Sequence, residues 1–411
     1  MRNMLLARKV VAAVLCTLIM AVIVLPMACA PAQPGEEKKV VKIGAILPVT
    51  GPASAIMQYG FRNMIDYFSY FQKKGAPGLS SPPEVTIELV WGDSRYEPTG
   101  AISVYERLRD EVVFLYVASP VEGHALKSRI ERDGIPAMTW APDEVLMYPP
   151  GWFFATYCTE SERFAAVCDW IMANWQEDRP PRVALMGTDT VTGRAPEIMG
   201  TGYAQSIGIE MLPYEVIPHM LLDVSTQLLR LRERGADYVY ITTIWSAAIP
   251  VLRDAERLGL IGKMRFGAGL EDNIAVPLIE ALGPLAEGYF GARCVPWYEE
   301  TPILWEILRQ DKGKLDTTGG GATTLLYGPV PIEAIRIAIE KVGYENLNGR
   351  AVKEAFYSIE NFDPYGIGRP VTYTPEDHRG APLTRIYSVQ GGKVVPQTDW
   401  TPAHMLVPQQ R

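Results

Sequence analysis

The chain has 411 residues, 39 of them Lys or Arg and 47 Asp or Glu, giving a net charge of −8 with its four histidines neutral. An acidic balance of this kind disfavours nucleic acid as a partner, because phosphate contacts need basic surface. The length exceeds what one hydrophobic core usually serves, so two domains are expected.

The N-terminal segment carries Arg2, Arg8 and Lys9 without an acid, and Val10 to Leu25 that follow are apolar except for Thr17. That is the plan of an export signal, although an apolar run continuing to Ala28 is also about long enough to span a bilayer. Leu25-Pro26-Met27-Ala28-Cys29 resembles a bacterial lipobox, with Pro26 and Met27 standing where a leucine and a small residue are usual. The expectation is a signal peptide over 1–28, a lipidated Cys29 and a solvated linker over 29–38. Plain signal cleavage and a retained anchor are the alternatives, and all three put the body outside the cytoplasm. Beyond Cys16 and Cys29 remain Cys158, Cys168 and Cys294, without metal-type spacing, read as small buried apolar side chains.

The body opens with a strand, Val40 to Leu47, a turn-rich loop Pro48 to Ala53 and a helix over 57–73. Strands at 85–91 and 112–117 alternate with a helix near 99–109, and the third strand leads to Ala118-Ser119-Pro120. Further short apolar runs lie at 137–140, 153–156, 183–186, 238–243 and 264–267, separated by helical patterns such as Ser161 to Trp175. This alternation predicts an α/β fold with parallel sheets covered on both faces. Ligands of such sheets sit beyond the carboxyl ends of the strands, so the loops after Leu47, Trp91, Val117, Met186, Thr243 and Gly267 are the places to look.

Five pieces stand in a familiar order: Ile43-Gly-Ala-Ile-Leu-Pro-Val-Thr-Gly-Pro52 with Gln58-Tyr59-Gly60, Asp93 to Pro98, Asp133-Gly-Ile-Pro136, Tyr373 to Gly380, and Gln390-Gly-Gly-Lys393. In these the chain resembles the type I periplasmic solute-binding proteins of branched-chain amino acid, amide and urea uptake, from about Val40 to Val395. The resemblance implies a clamshell of two doubly wound lobes joined by three crossovers, near 156–161, 286–296 and 363–372. Lobe one would be 39–157 and 291–364, lobe two 158–290 and 365–400, and 401–411 a tail. Ligand would bind between the lobes, which close around it.

Site residues follow from strand ends and from the resemblance together. Ser119 opens a helix, where it either caps the helix or receives an electron-rich ligand atom; the resemblance puts the ligand's carboxylate end there. Glu122 stands where amino-acid binders of the family carry Thr or Ser. It reads either as a solvated first-turn acid or as a sign that the ligand is neutral or cationic. Tyr59 matches a rim position, Thr139 and Trp140 end a strand, and Tyr327 opens an apolar helix. In lobe two Trp245 and Ser246 follow a strand, Thr190 lies in the cluster Thr188 to Thr192, and Glu271 or Asp272 would meet a ligand ammonium. Each has a bland alternative in core packing or a solvated loop.

The four histidines, scattered in sequence and read as surface residues, form no catalytic grouping, and Gly319-Gly-Gly321 lacks the context of a phosphate loop. The chain is thus expected to be no enzyme and to need no cofactor or metal. It would bind a small polar solute (an amino acid, amide or amine) as a monomer, lipid-anchored to the membrane, and hand it to an ABC permease and ATPase. A sensory protein on the same fold, signalling to a membrane receptor, is the alternative.

Overall fold

The largely apolar segment Lys39–Leu47 forms β1, an inner strand of a parallel sheet. In this computed structural model residues 39–51, 54, 64, 85–218, 223–243, 245–271, 274–303 and 328–408 are described. Cys29, Tyr59, Asp272, Tyr327 and, Met64 apart, the helix expected over 57–73 lie outside them. Strand β1 pairs with β2 (Val85–Asp93) from Lys39↔Val85 to Leu47↔Asp93, and with β3 (Phe114–Val117) on its other side. Strands β4 (Ala137–Thr139) and β5 (Phe153–Phe154) complete a five-stranded sheet in the order β2-β1-β3-β4-β5.

Alternate residues of these strands feed two cores, as the two-residue strand period requires. Ile43, Ala45, Tyr116 and Phe154 pack with helices Pro329–Val342 and Gly349–Phe356. Ile46, Leu115 and Val117 face Tyr105, Leu126 and Ile130 of helices Pro98–Leu108 and Pro120–Asp133.

The second sheet has nine strands. Strands β6 (Arg182–Gly187), β7 (Glu210–Met211), β8 (Glu215–Val216), β9 (Tyr238–Thr242), β10 (Arg265–Ala268) and β11 (Phe290–Arg293) run parallel. The alternating pattern of the sequence foretold this part. Strands β12 (Leu383–Gln390), β13 (Lys393–Pro396) and β14 (Thr401–Pro402) add an antiparallel edge that it did not. Gln390-Gly-Gly-Lys393 is the β12–β13 hairpin, Gln390 pairing with Lys393 across Gly391 and Gly392 at φ 57 and 74. Two successive positive φ values explain the two glycines.

The lobe boundary expected at 291 and the last passage expected at 363–372 both lie later in the chain. Strand β11 belongs to the second sheet, and the chain enters the first core only at Cys294 and Val295. Ile367, Val371, Tyr373 and Ala381 still pack in the first core, so the last passage falls just before β12. The expected tail begins with β14, which pairs with β12 at Leu383↔Pro402.

His378, on this last passage, is 2% exposed, contrary to the surface reading. Its ring stacks on Phe154 at 4.2 Å between centroids, Nδ1 lies 3.0 Å from the Phe153 carbonyl oxygen and Nε2 3.0 Å from the Tyr357 hydroxyl. Burial pushes its pKa down to about 4, so the folded protein holds a neutral imidazole. The unfolded chain takes up the proton first on acidification. The stability His378 contributes is therefore complete above about pH 6.5 and is lost as pH falls toward 4. Denaturant unfolding should show the stability gap between wild type and His378→Phe shrinking across that window, by up to about 3 kcal/mol.

Candidate ligand-binding site

On the first lobe the loops after β1, β2 and β3 are drawn together at the carboxyl ends of the strands. The Asp93 carboxylate accepts from Thr50 N at 3.2 Å, Thr50 Oγ1 at 2.5 Å and Arg95 N at 3.0 Å. Partial burial opposes its charge, but these hydrogen bonds outweigh it and hold the pKa below the usual carboxylate value. Gly51 sits at φ 86, where an added Cβ would lie 2.5 Å from the Arg95 carbonyl oxygen. Only glycine permits that approach. Arg95 and Tyr96 are themselves left-handed, at φ 59 and 64, a conformation costing non-glycine residues about 1–2 kcal/mol each. Such strain gathers where a loop is held for binding.

Ser119 and Glu122 form a capping box at the start of helix Pro120–Asp133. The Glu122 Oε2 accepts from Ser119 N and Ser119 Oγ, each at 3.0 Å, and its Oε1 accepts from Ser94 Oγ. The carboxyl is 0% exposed, which overturns the solvated first-turn reading. Burial raises its pKa to about 7 against the pull of the Ser94 and Ser119 donors. Burial and the charge of Glu122 also raise the pKa of the half-buried Tyr96 phenol, whose backbone N–H donates to Ser94 Oγ at 3.4 Å. Ser94 and Tyr96, which share this cluster, were not among the candidate residues, although the segment Asp93 to Pro98 that carries them was noticed.

Across from this, Thr190 caps helix Val191–Ala195 by accepting from Gly193 N at 3.1 Å, and lies 3.0 Å from Thr188 Oγ1. The Tyr214 hydroxyl reaches the Thr188 carbonyl at 3.0 Å and Thr242 Oγ1 at 3.0 Å, tying the ends of β6 and β9. Helices Pro120–Asp133 and Val191–Ala195, one from each lobe, bring Cα atoms within 8 Å of each other. Trp245 and Ser246 open helix Trp245–Arg257, the ring half-buried against the second core and the serine exposed. Thr139 is buried at the end of β4, and Trp140 packs in the first core.

Glu271 sits at the base between the lobes rather than as a solvated loop acid. It is 4% exposed, and its carboxylate accepts from Cys294 N at 2.8 Å and Val295 N at 3.3 Å. Arg293 and Arg163 lie 3.5 and 3.6 Å from it. Arg163, fully buried in the first turn of helix Glu160–Asn174, also pairs with Glu160. Burial alone would lower the Arg163 pKa, but the Glu160 and Glu271 charges hold it well above the ordinary value. Beside this group, Glu162 accepts from Tyr148 Oη at 2.6 Å and Arg379 Nη1 at 3.0 Å. Two arginines on separate passages are thus tied to acids of the same helix start. Among the described residues no cluster of His, Cys, Asp or Glu is suited to a metal, and no helix is long and apolar enough to cross a membrane.

Two α/β lobes with facing strand ends and polar, non-catalytic clusters define a solute-capturing clamshell. The periplasmic binding protein family model matches residues 40–393, and the chain belongs to that family. It is thus an exported solute-binding protein and not an enzyme. No curated protein matches it significantly in sequence. Among solved structures it is similar to a branched-chain amino acid ABC transporter protein from Thermus thermophilus with bound valine, at 23% identity and TM-score 0.79 over 89% of this chain and 97% of that one. A fatty acid ABC transporter substrate-binding protein from Thermomonospora curvata gives 20% and 0.77 over 90% and 95%. A leucine-binding protein from Thermotoga maritima gives 19% and 0.71 over 88% and 99%.

Removing Arg163 leaves Glu160 buried without its cation and Glu271 with Arg293 alone. Arg163→Met should cost about 3–5 kcal/mol in denaturant unfolding, whereas Arg179→Met, at an exposed pair, should cost under about 1 kcal/mol. The raised pKa of Glu122 has the opposite pH sense to that of His378, since the folded state keeps this proton longer than the unfolded chain. Wild-type stability relative to Glu122→Gln should therefore fall as pH rises from 4.5 to about 7 and then level off.

Proposed function

We propose that the chain is the extracytoplasmic substrate-binding subunit of an ABC importer, acting as a monomer tethered through lipidated Cys29 and delivering its ligand to a permease driven by an ATPase. Its ligand is a small polar solute without a free carboxylate, an amide or an amine. The observation that carries this reading is the Glu122 carboxyl, buried on the donors of Ser94 and Ser119. Those donors would otherwise suit a ligand carboxylate; here a side chain of the protein occupies them. A carboxylate has about four acceptor positions, so Glu122 retains capacity for a ligand N–H, and a cation would draw it into its charged form. Ser119, Glu122 and Tyr96 form the first-lobe half of the contact set. Thr190, Trp245 and Ser246 offer the opposing half, and Tyr59, Thr139, Trp140 and Tyr327 are the remaining candidates, with Glu271 supporting the base.

A thermal-shift panel tests the ligand class. Acetamide, urea and ethylenediamine represent amides and amines; valine and octanoate represent carboxylates. A ligand at one hundred times its dissociation constant adds about 2.7 kcal/mol. The expected result is stabilisation by a member of the first group, weakened by Glu122→Gln; stabilisation by carboxylates alone refutes the assignment. Intact mass analysis of membrane-extracted protein tests the tether, with a diacylglyceryl group on an N-terminal Cys29 as the expected finding and an N-terminus still beginning at Met1 as the contrary one.

A further inference from the structure

Two of the three buried cysteines meet where the chain passes between the lobes. Cys158 follows β5 on the first passage and Cys294 follows β11 on the second, 136 positions apart in the chain and with their sulfurs 2.7 Å apart. Their relative exposures are 0% and 2%. Ordinary apolar packing does not bring two sulfurs so near, and a disulfide needs only a small further approach, to about 2.0 Å. Both backbones are held at this point. Glu162 accepts from Thr159 N at 2.9 Å next to Cys158, and Glu271 accepts from the N–H of Cys294 itself at 2.8 Å. The third cysteine, Cys168, packs in a different core with Phe164, Ile171 and Tyr240.

We infer that Cys158 and Cys294 form a disulfide in the exported protein, a covalent staple between two of the passages that link the lobes. The compartment supplies what the reaction needs, since an exported protein meets disulfide oxidants outside the cytoplasm. The oxidant is a disulfide R–S–S–R, either of a thiol oxidoreductase or of a small thiol. One cysteine loses its proton and attacks a sulfur of R–S–S–R, forming a mixed disulfide and expelling R–S⁻, which takes up the proton. The second cysteine then loses its proton and displaces the other R–S⁻, which is protonated in turn. Two electrons pass to the oxidant, the S–S bond of R–S–S–R is broken, the Cys158–Cys294 bond is made, and two R–SH leave. Burial raises the Cys158 thiol pKa while the nearby Arg163 guanidinium pulls it down, so the exchange belongs to folding, before the passages are covered. Arg163 Nη1 stands 3.8 Å from Cys294 Sγ and 3.4 Å from the Cys158 carbonyl oxygen.

The staple closes a loop containing most of the second lobe. It joins two of the passages without tying one lip of the cleft to the other, so it restrains shear at the base and leaves closure of the lobes possible. The test is peptide mapping of full-length protein exported by expressing cells, alkylated in denaturant without reductant. A second sample is refolded with oxidised glutathione as the only oxidant. A peptide pair joined through Cys158 and Cys294, separated by reductant, with Cys168 alkylated throughout, is the expected result in both samples. Alkylation of Cys158 and Cys294 in both, or pairing of either with Cys168, overturns the proposal. The map reads wild-type protein directly, so it does not depend on a variant folding. Reductant should also lower the melting temperature of wild type by several degrees and leave that of Cys158→Ser/Cys294→Ser unchanged; equal shifts in the two would count against the staple.

Discussion

The fully buried Arg163 guanidinium, set between Glu160 and Glu271, is the interaction on which the two-lobed arrangement turns. A charge taken from water into a protein interior is tolerated only with partners and hydrogen bonds that replace its hydration. Those partners come from different stretches of chain: Glu160 from the same helix start, Glu271 from the loop beyond β10. Glu271 in turn receives the backbone of Cys294 and Val295 where the chain leaves the second sheet. The ion pairs have correct geometry only when these passages lie side by side. Burial therefore makes them a condition on how the lobes connect, and the connection aims two sets of strand ends at one space.

Within that space the first lobe spends its polar groups on itself. Asp93 binds the loop after β1 to the loop after β2, and Glu122 gathers Ser94 and Ser119. The result is a prearranged wall whose acceptor is buried and whose pKa lies close to neutrality, with Tyr96 beside it in a strained backbone. Under the proposed assignment such a wall needs little reordering when a ligand arrives, which lowers the entropic cost of binding. The second-lobe wall is built differently, from threonines and the Tyr214 hydroxyl that tie β6 to β9.

The parallel strands and most of their helices were legible along the chain because their residues obey local periodicities: β1 was expected at 40–47 and spans Lys39–Leu47, and helix Glu160–Asn174 was expected from Ser161. Ser119 was legible too, as a serine between a buried strand and a proline at a helix start. Glu122 stood out as an acid in an unusual place, but its direction did not, because a first-turn glutamate satisfies the helix dipole whether it points to water or into the protein. The antiparallel edge was not foreseen, although Gln390-Gly-Gly-Lys393 announced a hairpin in plain view. His378 was read as exposed because nothing local marks a histidine that stacks on Phe154, a residue 224 positions away by number.

The amino-acid sequence by itself determined what depends on near neighbours: the alternation of strands and helices, the caps and turns, and the family to which the motifs belong. Tertiary structure decided what depends on residues distant in sequence: which acids lose their solvent, which arginine each one meets, where the chain passes between sheets, and that Cys158 lies against Cys294. The physical reason is that periodicity and capping are set within a few residues. Desolvation and charge pairing are set by whatever the folded chain brings alongside, and at the base of this cleft it brings together segments more than a hundred residues apart.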